Sequence, residues 1–131
     1  MQPRPIHFEI QVDNPERAIK FYTTVFHWSF QQWGEMKYWM CMTAPKDSKE
    51  PGINGGLLPR PALMSEKPCG TNAWVCTVQV DNYDAYAKTI LENGGMIALP
   101  KMAIPGMAWQ GYFLDTEGNT FGLHQADVDA K

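Results

Sequence analysis

A tetrapeptide that occurs twice places the strongest constraint on how this chain of 131 residues can fold. Residues 11–14 read Gln-Val-Asp-Asn, and residues 79–82 read the same, 79 minus 11 or 68 positions later. In each copy the tetrapeptide ends a segment predicted to be a strand and begins one predicted to be a helix. Self-similarity of this kind indicates an internal repeat, so the sequence predicts two copies of one structural module.

The first copy carries the clearer local pattern. Residues 6–12 alternate apolar and polar side chains, the period of two that is typical of a strand with two different faces. Asp13 or Asn14 can cap the helix that follows, and Pro15 suits its first turn. We expect this helix to span residues 15–26. Its predicted buried stripe consists of Ile19, Tyr22 and Phe26.

The second copy repeats this order, and three strands follow the helix in both copies. The predicted strands of the first copy after its helix are 28–33, 37–43 and 51–58; those of the second copy are 72–80 before its helix and 96–99, 109–114 and 120–125 after it. The second helix is predicted to end at residues 93–95, Asn-Gly-Gly, and to bury Ala87, Ile90 and Leu91. The apolar residues 100–108 are expected to form a loop that acts as a lid or packs on a second subunit. The fold class is therefore α+β, with two βαβββ modules.

These modules make one domain over residues 1–131. Module one covers about residues 4–60 and module two about 71–126. Three prolines within residues 59–68 favour a linker at about 59–70.

Charge and composition exclude several classes of partner. With 11 basic and 14 acidic residues the net charge is −3, and no block of like charge occurs, so neither nucleic acid nor a membrane surface is an expected partner. No apolar run approaches the roughly 20 residues of a membrane-spanning helix, and the first residues lack the pattern of a secretory signal. Three cysteines, Cys41, Cys69 and Cys76, without CxxC spacing favour reduced thiols in the cytoplasm. We expect Cys76 to be a core residue.

Five short motifs in both halves of the chain resemble the vicinal oxygen chelate superfamily, which includes glyoxalase I, bleomycin resistance proteins and extradiol dioxygenases. The motifs are residues 7–14 (HFEIQVDN), 19–22 (IKFY), 25–28 (VFHW), 93–95 (NGG) and 115–119 (DTEGN). The resemblance implies the glyoxalase/bleomycin resistance fold, in which two βαβββ modules form a curved mixed sheet around a cavity. Because this superfamily contains isomerases, lyases, dioxygenases and non-catalytic binders, the resemblance leaves the reaction open.

The resemblance also implies four positions for the ligands of a divalent metal. His7 matches the first of them. The other positions fall on Val75, on Gly122 and within residues 53–56, where Asn54 is the one weak oxygen donor. Because catalytic metal sites usually keep at least three protein ligands, we expect no metal at the usual place and no other cofactor.

The alternation of strand residues suggests a different set of candidates. Glu9 shares the predicted face of His7, and His124 shares that of Gly122, as Thr77 and Gln79 share that of Val75. His7, Glu9 and His124 could hold a metal at a shifted position, could exchange protons near neutral pH, or could simply be hydrogen-bonded strand residues. Glu9 alone is more typical of a hydrogen-bond partner than of a base.

Glycine and tryptophan provide the candidates for ligand binding. Gly55, Gly56 and Gly122 lie in strands, where a missing side chain leaves room for a ligand or permits a bulge or close packing. Tryptophans add large apolar rings suited to a pocket. The predicted ligand-binding residues are Trp39, Asn54, Trp74, Thr77, Trp109 and Gly122.

These features predict a protein that binds a small organic molecule in a cavity, with aromatic compounds among the candidates, without the usual metal centre and as a homodimer. One alternative is a metal-dependent lyase, isomerase or dioxygenase of the glyoxalase type. Another is a non-catalytic accessory or interaction protein. The sequence leaves open whether the chain is an enzyme.

Overall fold

A computed structural model of the chain describes residues 7–60 and 75–131. The chain forms two compact units, residues 1–63 and residues 64–131. Each contains one helix and a four-stranded sheet in the order strand, helix, strand, strand, strand. The α+β class and the two predicted βαβββ modules are confirmed. Most of the predicted linker, residues 59–70, lies outside the described residues.

Both sheets are mixed and have the same strand order. The first unit consists of β1 (Phe8–Val12), α1 (Pro15–Phe26), β2 (Ser29–Gln32), β3 (Trp39–Met42) and β4 (Gly55–Pro59). The second consists of β5 (Thr77–Gln79), α2 (Tyr83–Glu92), β6 (Met96–Ile104), β7 (Ala108–Leu114) and β8 (Thr120–Ala126). The orders are β1-β4-β3-β2 and β5-β8-β7-β6. The pairs β1/β4 and β5/β8 are parallel, and the other pairs are antiparallel.

Helix α1 begins and ends at specific caps. The Asn14 side-chain oxygen accepts a hydrogen bond from the Arg17 backbone N–H at 3.0 Å, and Pro15 follows in the first turn. Of the two cap candidates, the structure selects Asn14. The helix ends where His27 adopts the left-handed conformation with φ 59°.

The core of the first unit lies between α1 and one face of its sheet. Val12, Ala18 and Leu57 are fully buried at its centre. Four partly buried residues pack against them: Ile10, Ile19, Phe30 and Trp39. The predicted stripe of α1 was too narrow, because Phe21 and Val25 are also buried. A helix that covers a sheet buries more than one residue in each turn.

In the second unit, α2 is fixed at both ends. The Asn82 side chain accepts from the Ala85 N–H at 3.0 Å, and the Gln125 side-chain oxygen accepts from the Tyr83 N–H at 2.7 Å. Gly94, with φ 91°, follows the helix as expected for a left-handed cap. The expected burial of Leu91 is wrong, because 46% of its surface is exposed. Tyr83 and Ile90 are the buried residues of this helix.

Two further expectations about the second unit are corrected by the structure. Residues 100–104 belong to strand β6, and a turn at Gly106 (φ 72°) leads directly into β7, so this segment is not a lid loop. The register between β6 and β7 is irregular, which explains why the sequence of β6 lacks the alternation of apolar and polar residues expected of a strand. Cys76 is exposed rather than part of the core.

Within residues 7–60 and 75–131, neither helix has the length and apolar character needed to cross a membrane.

Candidate functional site

The first unit carries a polar cluster on the sheet face that points away from α1. Strand alternation places Glu9 on this face, and Glu9 lies beside Gly56 in the parallel register of β1 and β4. Tyr38, directly before β3, reaches over Gly56, so that a Cβ atom on Gly56 would overlap the Tyr38 hydroxyl. The Tyr38 hydroxyl lies 2.9 Å from His7 Nε2, close enough to Glu9 for the charge of that carboxylate to act on it. The structure thus brings His7, Tyr38 and Glu9 together.

The direction of the hydrogen bond between Tyr38 and His7 depends on the imidazole tautomer, because both groups can donate or accept. Burial, followed by the nearby charge of Glu9, raises the pKa of Tyr38 above its usual value of 10.0. Tyr38 therefore remains protonated at neutral pH.

The glycines of β4 serve close packing. A Cβ on Gly55 would meet the backbone and the ring of Phe8, its register partner, and a Cβ on Gly56 would meet Tyr38. Of the alternatives left open by the sequence, the structure favours close packing for Gly55 and Gly56.

The second unit has a polar cluster at the corresponding place. Thr77 lies opposite Gly122 in the parallel register of β5 and β8, as Glu9 lies opposite Gly56 in the first unit. The nearest atoms to a Cβ built on Gly122 are Thr77 Oγ1 at 2.7 Å, Gln110 Nε2 at 3.1 Å and Tyr112 Cε1 at 3.3 Å. Gly122 is therefore surrounded by polar groups of two neighbouring strands.

His124 extends this cluster along β8. In the register, Gln79 and Gln110 lie on either side of it. Its Nδ1 atom is 2.9 Å from Oε1 of Gln110, whose residue is only 7% exposed. An amide oxygen can only accept, so Nδ1 carries a proton and donates it. In the neutral ring, Nε2 then keeps a lone pair that can accept a proton or a hydrogen bond.

Several predicted ligand-binding residues serve other purposes. Trp39 packs against the core of the first unit, on the α1 side of the sheet. Trp109 lies on the α2 side, where its Nε1–H donates to Asp127 at 2.9 Å and the Lys101 ammonium lies 4.6 Å from its ring. Alternation thus places each tryptophan on the helix side of its strand, away from the polar cluster of its unit.

The remaining two candidates are Asn54 and Trp74. The Asn54 side-chain oxygen accepts hydrogen bonds from the backbone N–H and the hydroxyl of Thr43, at 2.9 and 3.1 Å, and so joins the ends of the loop between β3 and β4. Trp74 lies outside the described residues.

The sequence analysis did not identify Tyr38 or Gln110. Tyr38 lies directly before β3 and Gln110 lies on β7, each strand being next to the one that carries the glycine, and both side chains reach sideways across that glycine. A glycine with a polar partner opposite it in the parallel strand, as in Glu9/Gly56 and Thr77/Gly122, is the one signal that could have pointed to them.

The resemblance to metal-using proteins implies a divalent cation, and the donor atoms of the described residues do not fit one. Within the segments 7–60 and 75–131, no three or more His, Cys, Asp or Glu side chains form a group suited to a metal ion. His7 Nε2 is hydrogen-bonded to the Tyr38 hydroxyl at 2.9 Å in the first unit. None of the three atoms nearest to the Gly122 position belongs to a carboxylate or an imidazole, which are the usual ligands.

Comparison with known proteins defines the fold. Neither protein-family models nor curated protein sequences give a match to the chain. Among solved structures, a FosX fosfomycin resistance protein variant from Listeria monocytogenes, complexed with Mn(II) and 1S,2S-dihydroxypropylphosphonic acid, matches with a TM-score of 0.70 and 16% identity, over 95% of this chain and 90% of that chain.

Two other solved structures agree. A glyoxalase-related enzyme from Fulvimarina pelagi matches with a TM-score of 0.69 and 12% identity, over 99% of this chain and 96% of that chain. A glyoxalase/bleomycin resistance protein/dioxygenase family enzyme from Burkholderia phytofirmans PsJN matches with a TM-score of 0.68 and 13% identity, over 92% of this chain and 97% of that chain. The chain therefore has the glyoxalase/bleomycin resistance fold of these solved structures, as its sequence motifs predicted.

Proposed function

We propose that this protein binds a small organic molecule on the polar face of its second unit, over Gly122, without a metal ion. The observation that carries the proposal is the set of groups around Gly122. Thr77 Oγ1, the Gln110 amide and the Tyr112 ring pack closely over Gly122, where a Cβ would lie only 2.7 Å from the Thr77 oxygen. A ligand on this face would therefore contact these side chains, and the missing side chain is what lets them gather there.

Hydrogen bonding defines the class of ligand. Gln110 uses its amide oxygen to hold His124, so its N–H groups are directed towards Gly122 and can donate to a ligand oxygen. His124 Nε2 can accept from a ligand hydroxyl. With Trp39 and Trp109 on the helix sides of their strands, a hydroxylated acid or a similar polar molecule fits this face better than a large aromatic one.

A thermal-shift experiment tests the proposal with three proteins: wild type, Gly122→Ala and Gly52→Ala. An alanine at position 122 places a methyl group 2.7 Å from Thr77 Oγ1, whereas a Cβ at Gly52 meets nothing within 4 Å. The panel contains 1S,2S-dihydroxypropylphosphonic acid, lactate and benzoate, which represent a hydroxylated phosphonate, a hydroxy acid and an aromatic acid. A ligand at 100 times its Kd stabilises the folded state by about 2.7 kcal/mol, which raises the Tm.

We expect a hydroxylated member of the panel to raise the Tm of wild type and of Gly52→Ala, and to have little effect on Gly122→Ala. Equal shifts in all three proteins would place the binding site elsewhere. Shifts with benzoate alone would contradict the assignment of ligand class. If no compound shifts the Tm of wild type, the alternative of a non-catalytic accessory or interaction protein gains support.

A metal-dependent lyase, isomerase or dioxygenase is the second candidate, because the FosX variant of similar fold is complexed with Mn(II). Its candidate residues are His7, Glu9 and His124. Elemental analysis after dialysis against Mn, Fe, Co, Ni and Zn salts separates the two functions. About one retained metal per chain, lost in His7→Ala and His124→Ala, would favour the metal-dependent enzyme over a metal-free site.

A homodimer in the cytoplasm completes the proposal. Four exposed apolar residues on β6, a strand at the edge of its sheet, support self-association: Met96, Ile97, Leu99 and Met102. Light scattering coupled to gel filtration measures the mass, and a monomer of 14.8 kDa would contradict the dimer.

A further inference from the structure

The open face of the second sheet, the face turned away from α2, changes from polar to apolar across its strands. Residues paired directly across neighbouring strands point to the same face of a sheet. Each of two adjacent rows of such pairs begins at a polar residue of β5 and ends at an exposed apolar residue of β6. The rows are Thr77–Gly122–Tyr112–Leu99 and Gln79–His124–Gln110–Met102.

Contacts on both sides of the sheet agree with this assignment of faces. The Lys101 ammonium hydrogen-bonds to both carboxylate oxygens of Asp84 in α2, each at 3.0 Å, so Lys101 points to the helix side. Met102, the next residue of the strand, therefore points to the open face. Tyr112 shares that face, because its Cε1 atom is 3.3 Å from the position of a Cβ on Gly122. Its register partner on β6 then points the same way.

The apolar end of these rows is exposed to water. Leu99 is 43% exposed and Met102 is 42% exposed. A ligand that covers these side chains gains the free energy of removing apolar surface from water. In the first unit the row that crosses Gly56 ends instead at Gln31, an exposed polar residue. The polar-to-apolar gradient therefore distinguishes the second unit from the first.

We propose that the ligand of this site is amphipathic, a hydroxy acid with an aliphatic chain. Its polar head lies at Gln110 and His124, as in the proposed function on which this inference rests. Its chain crosses Tyr112 and lies on Leu99 and Met102, whose flexible side chains adapt to an aliphatic group. Strands β8 and β6 are two strand spacings apart, or about 10 Å. With carbon–carbon bonds of about 1.5 Å, a chain of roughly eight carbons covers that distance.

Calorimetric titration with a series of chain lengths tests the proposal. The ligands are lactate, 2-hydroxybutyrate, 2-hydroxyhexanoate and 2-hydroxyoctanoate, which share one head group and differ only in the chain. Full burial of a methylene group increases affinity about fourfold. A chain on an open sheet face is buried on one side, so we expect about twofold for each methylene and roughly thirtyfold across the series.

Four full-length proteins are compared: wild type, Leu99→Ala, Met102→Ala and the control Leu91→Ala. Leu91 is also an exposed leucine, at 46%, but it belongs to α2 on the other side of the sheet. Because all three side chains are exposed, their truncation should leave the fold intact. Leu99→Ala and Met102→Ala should bind 2-hydroxyoctanoate at least about threefold more weakly than wild type, and lactate equally well. Leu91→Ala should match wild type with both ligands.

Equal affinities along the series overturn the proposal and leave binding at Gly122 intact, and so does a chain-length dependence that is unchanged in Leu99→Ala and Met102→Ala. Failure of the proposed function looks different. In that case no member of the series binds wild type, or all members bind Gly122→Ala as tightly as wild type, and both proposals fall.

The same variants distinguish a ligand from a second copy of the chain. Under this proposal Met96 and Ile97, at the start of β6, make the contact of the proposed homodimer, so light scattering should give Leu99→Ala and Met102→Ala the mass of wild type. A lower mass in either variant would assign its side chain to the contact between copies and would also overturn the proposal.

Discussion

Gly111 offers a direct test of how closely the second unit is packed. A Cβ at this position would overlap the Tyr83 hydroxyl, and it would lie 3.0 Å from the Cζ atom of that ring and 3.3 Å from the carbonyl oxygen of Leu99. Tyr83 is only 3% exposed. The structure therefore predicts that Gly111→Ala destabilises the protein, although alanine is the better residue in a strand interior.

The magnitude follows from how firmly Tyr83 is held. Its backbone N–H is bonded to the Gln125 side chain at 2.7 Å, its ring centroid lies 6.1 Å from that of Phe113, and the Lys101 ammonium lies 5.2 Å from the ring. The Tyr83 ring cannot move aside without disturbing these contacts, and overpacking of this kind lowers the free energy of unfolding by roughly 1–3 kcal/mol. Alanine has less conformational freedom than glycine in the unfolded chain, which offsets about 0.4–1 kcal/mol of this loss. The net expectation is a loss of about 1–2 kcal/mol.

Urea unfolding followed by tryptophan fluorescence measures this loss, and a double-mutant cycle assigns its cause. Tyr83→Phe removes the overlapping oxygen, so Gly111→Ala should cost less in that background, with a coupling of at least about 0.5 kcal/mol. Gly52→Ala, whose Cβ meets nothing within 4 Å, should change stability by less than about 0.5 kcal/mol. The reasoning is refuted if Gly111→Ala is as stable as wild type, or if Tyr83→Phe leaves its cost unchanged.

Four further predictions concern three other buried groups. Burial raises the pKa of the Cys41 thiol to about 12, so peptide mapping after alkylation of the native protein at pH 8 should show Cys76 modified faster than Cys41. In the unfolded chain the Cys41 thiol ionises near its ordinary pKa of 9.0, so its contribution to the free energy of unfolding is retained below pH 9 and lost as the pH rises towards 12. The fall in the free energy of urea unfolding between pH 8 and pH 10 should therefore be smaller in Cys41→Ala than in wild type. Gln110→Leu should remove the preference of His124 for a proton on Nδ1, whereas Gln110→Glu should keep it, as read from imidazole ¹⁵N shifts. Asp115→Ala should cost about 1–3 kcal/mol in urea unfolding, because the Asp115 carboxylate accepts from the backbone N–H groups of Glu117 and Asn119, both at 2.8 Å.

The sequence was sufficient for the order of elements because each element has a local signal. The alternation before Val12, the caps at Asn14 and Asn82, and Gly94 after α2 all depend on residues within one or two turns of the chain. The fold class follows from that order and from the repeat. The extent of β6 was missed because its register against β7 is irregular, and an irregular strand loses the alternation by which a strand is identified.

The site was less predictable because its contacts run across strands. Alternation placed Glu9 on the face of His7 and His124 on that of Gly122, but it did not show that Glu9 lies beside Gly56 or Thr77 beside Gly122. Nor could it show that Tyr38, before β3, and Gln110, on β7, reach over these glycines, since the sequence does not say which strands are neighbours. The large apolar ring of tryptophan suggested that these residues line a pocket, but the same ring also favours packing against a helix.

The two units show how one backbone arrangement can support two kinds of site. In both, the last strand places a glycine beside a polar residue of the first strand, Gly56 beside Glu9 and Gly122 beside Thr77. In the first unit the Tyr38 hydroxyl fills the space above the glycine and is hydrogen-bonded to His7.

In the second unit the position above Gly122 is also crowded, because Thr77 Oγ1, Gln110 Nε2 and Tyr112 Cε1 lie 2.7 to 3.3 Å from where a Cβ would stand. The groups that crowd it differ in kind, since Thr77 and Gln110 are uncharged hydrogen-bonding residues and Gln110 orients a histidine whose Nε2 is left as an acceptor. Groups of this kind gain hydrogen bonds when a ligand provides the matching atoms. This difference is the physical reason for assigning ligand binding to the second unit.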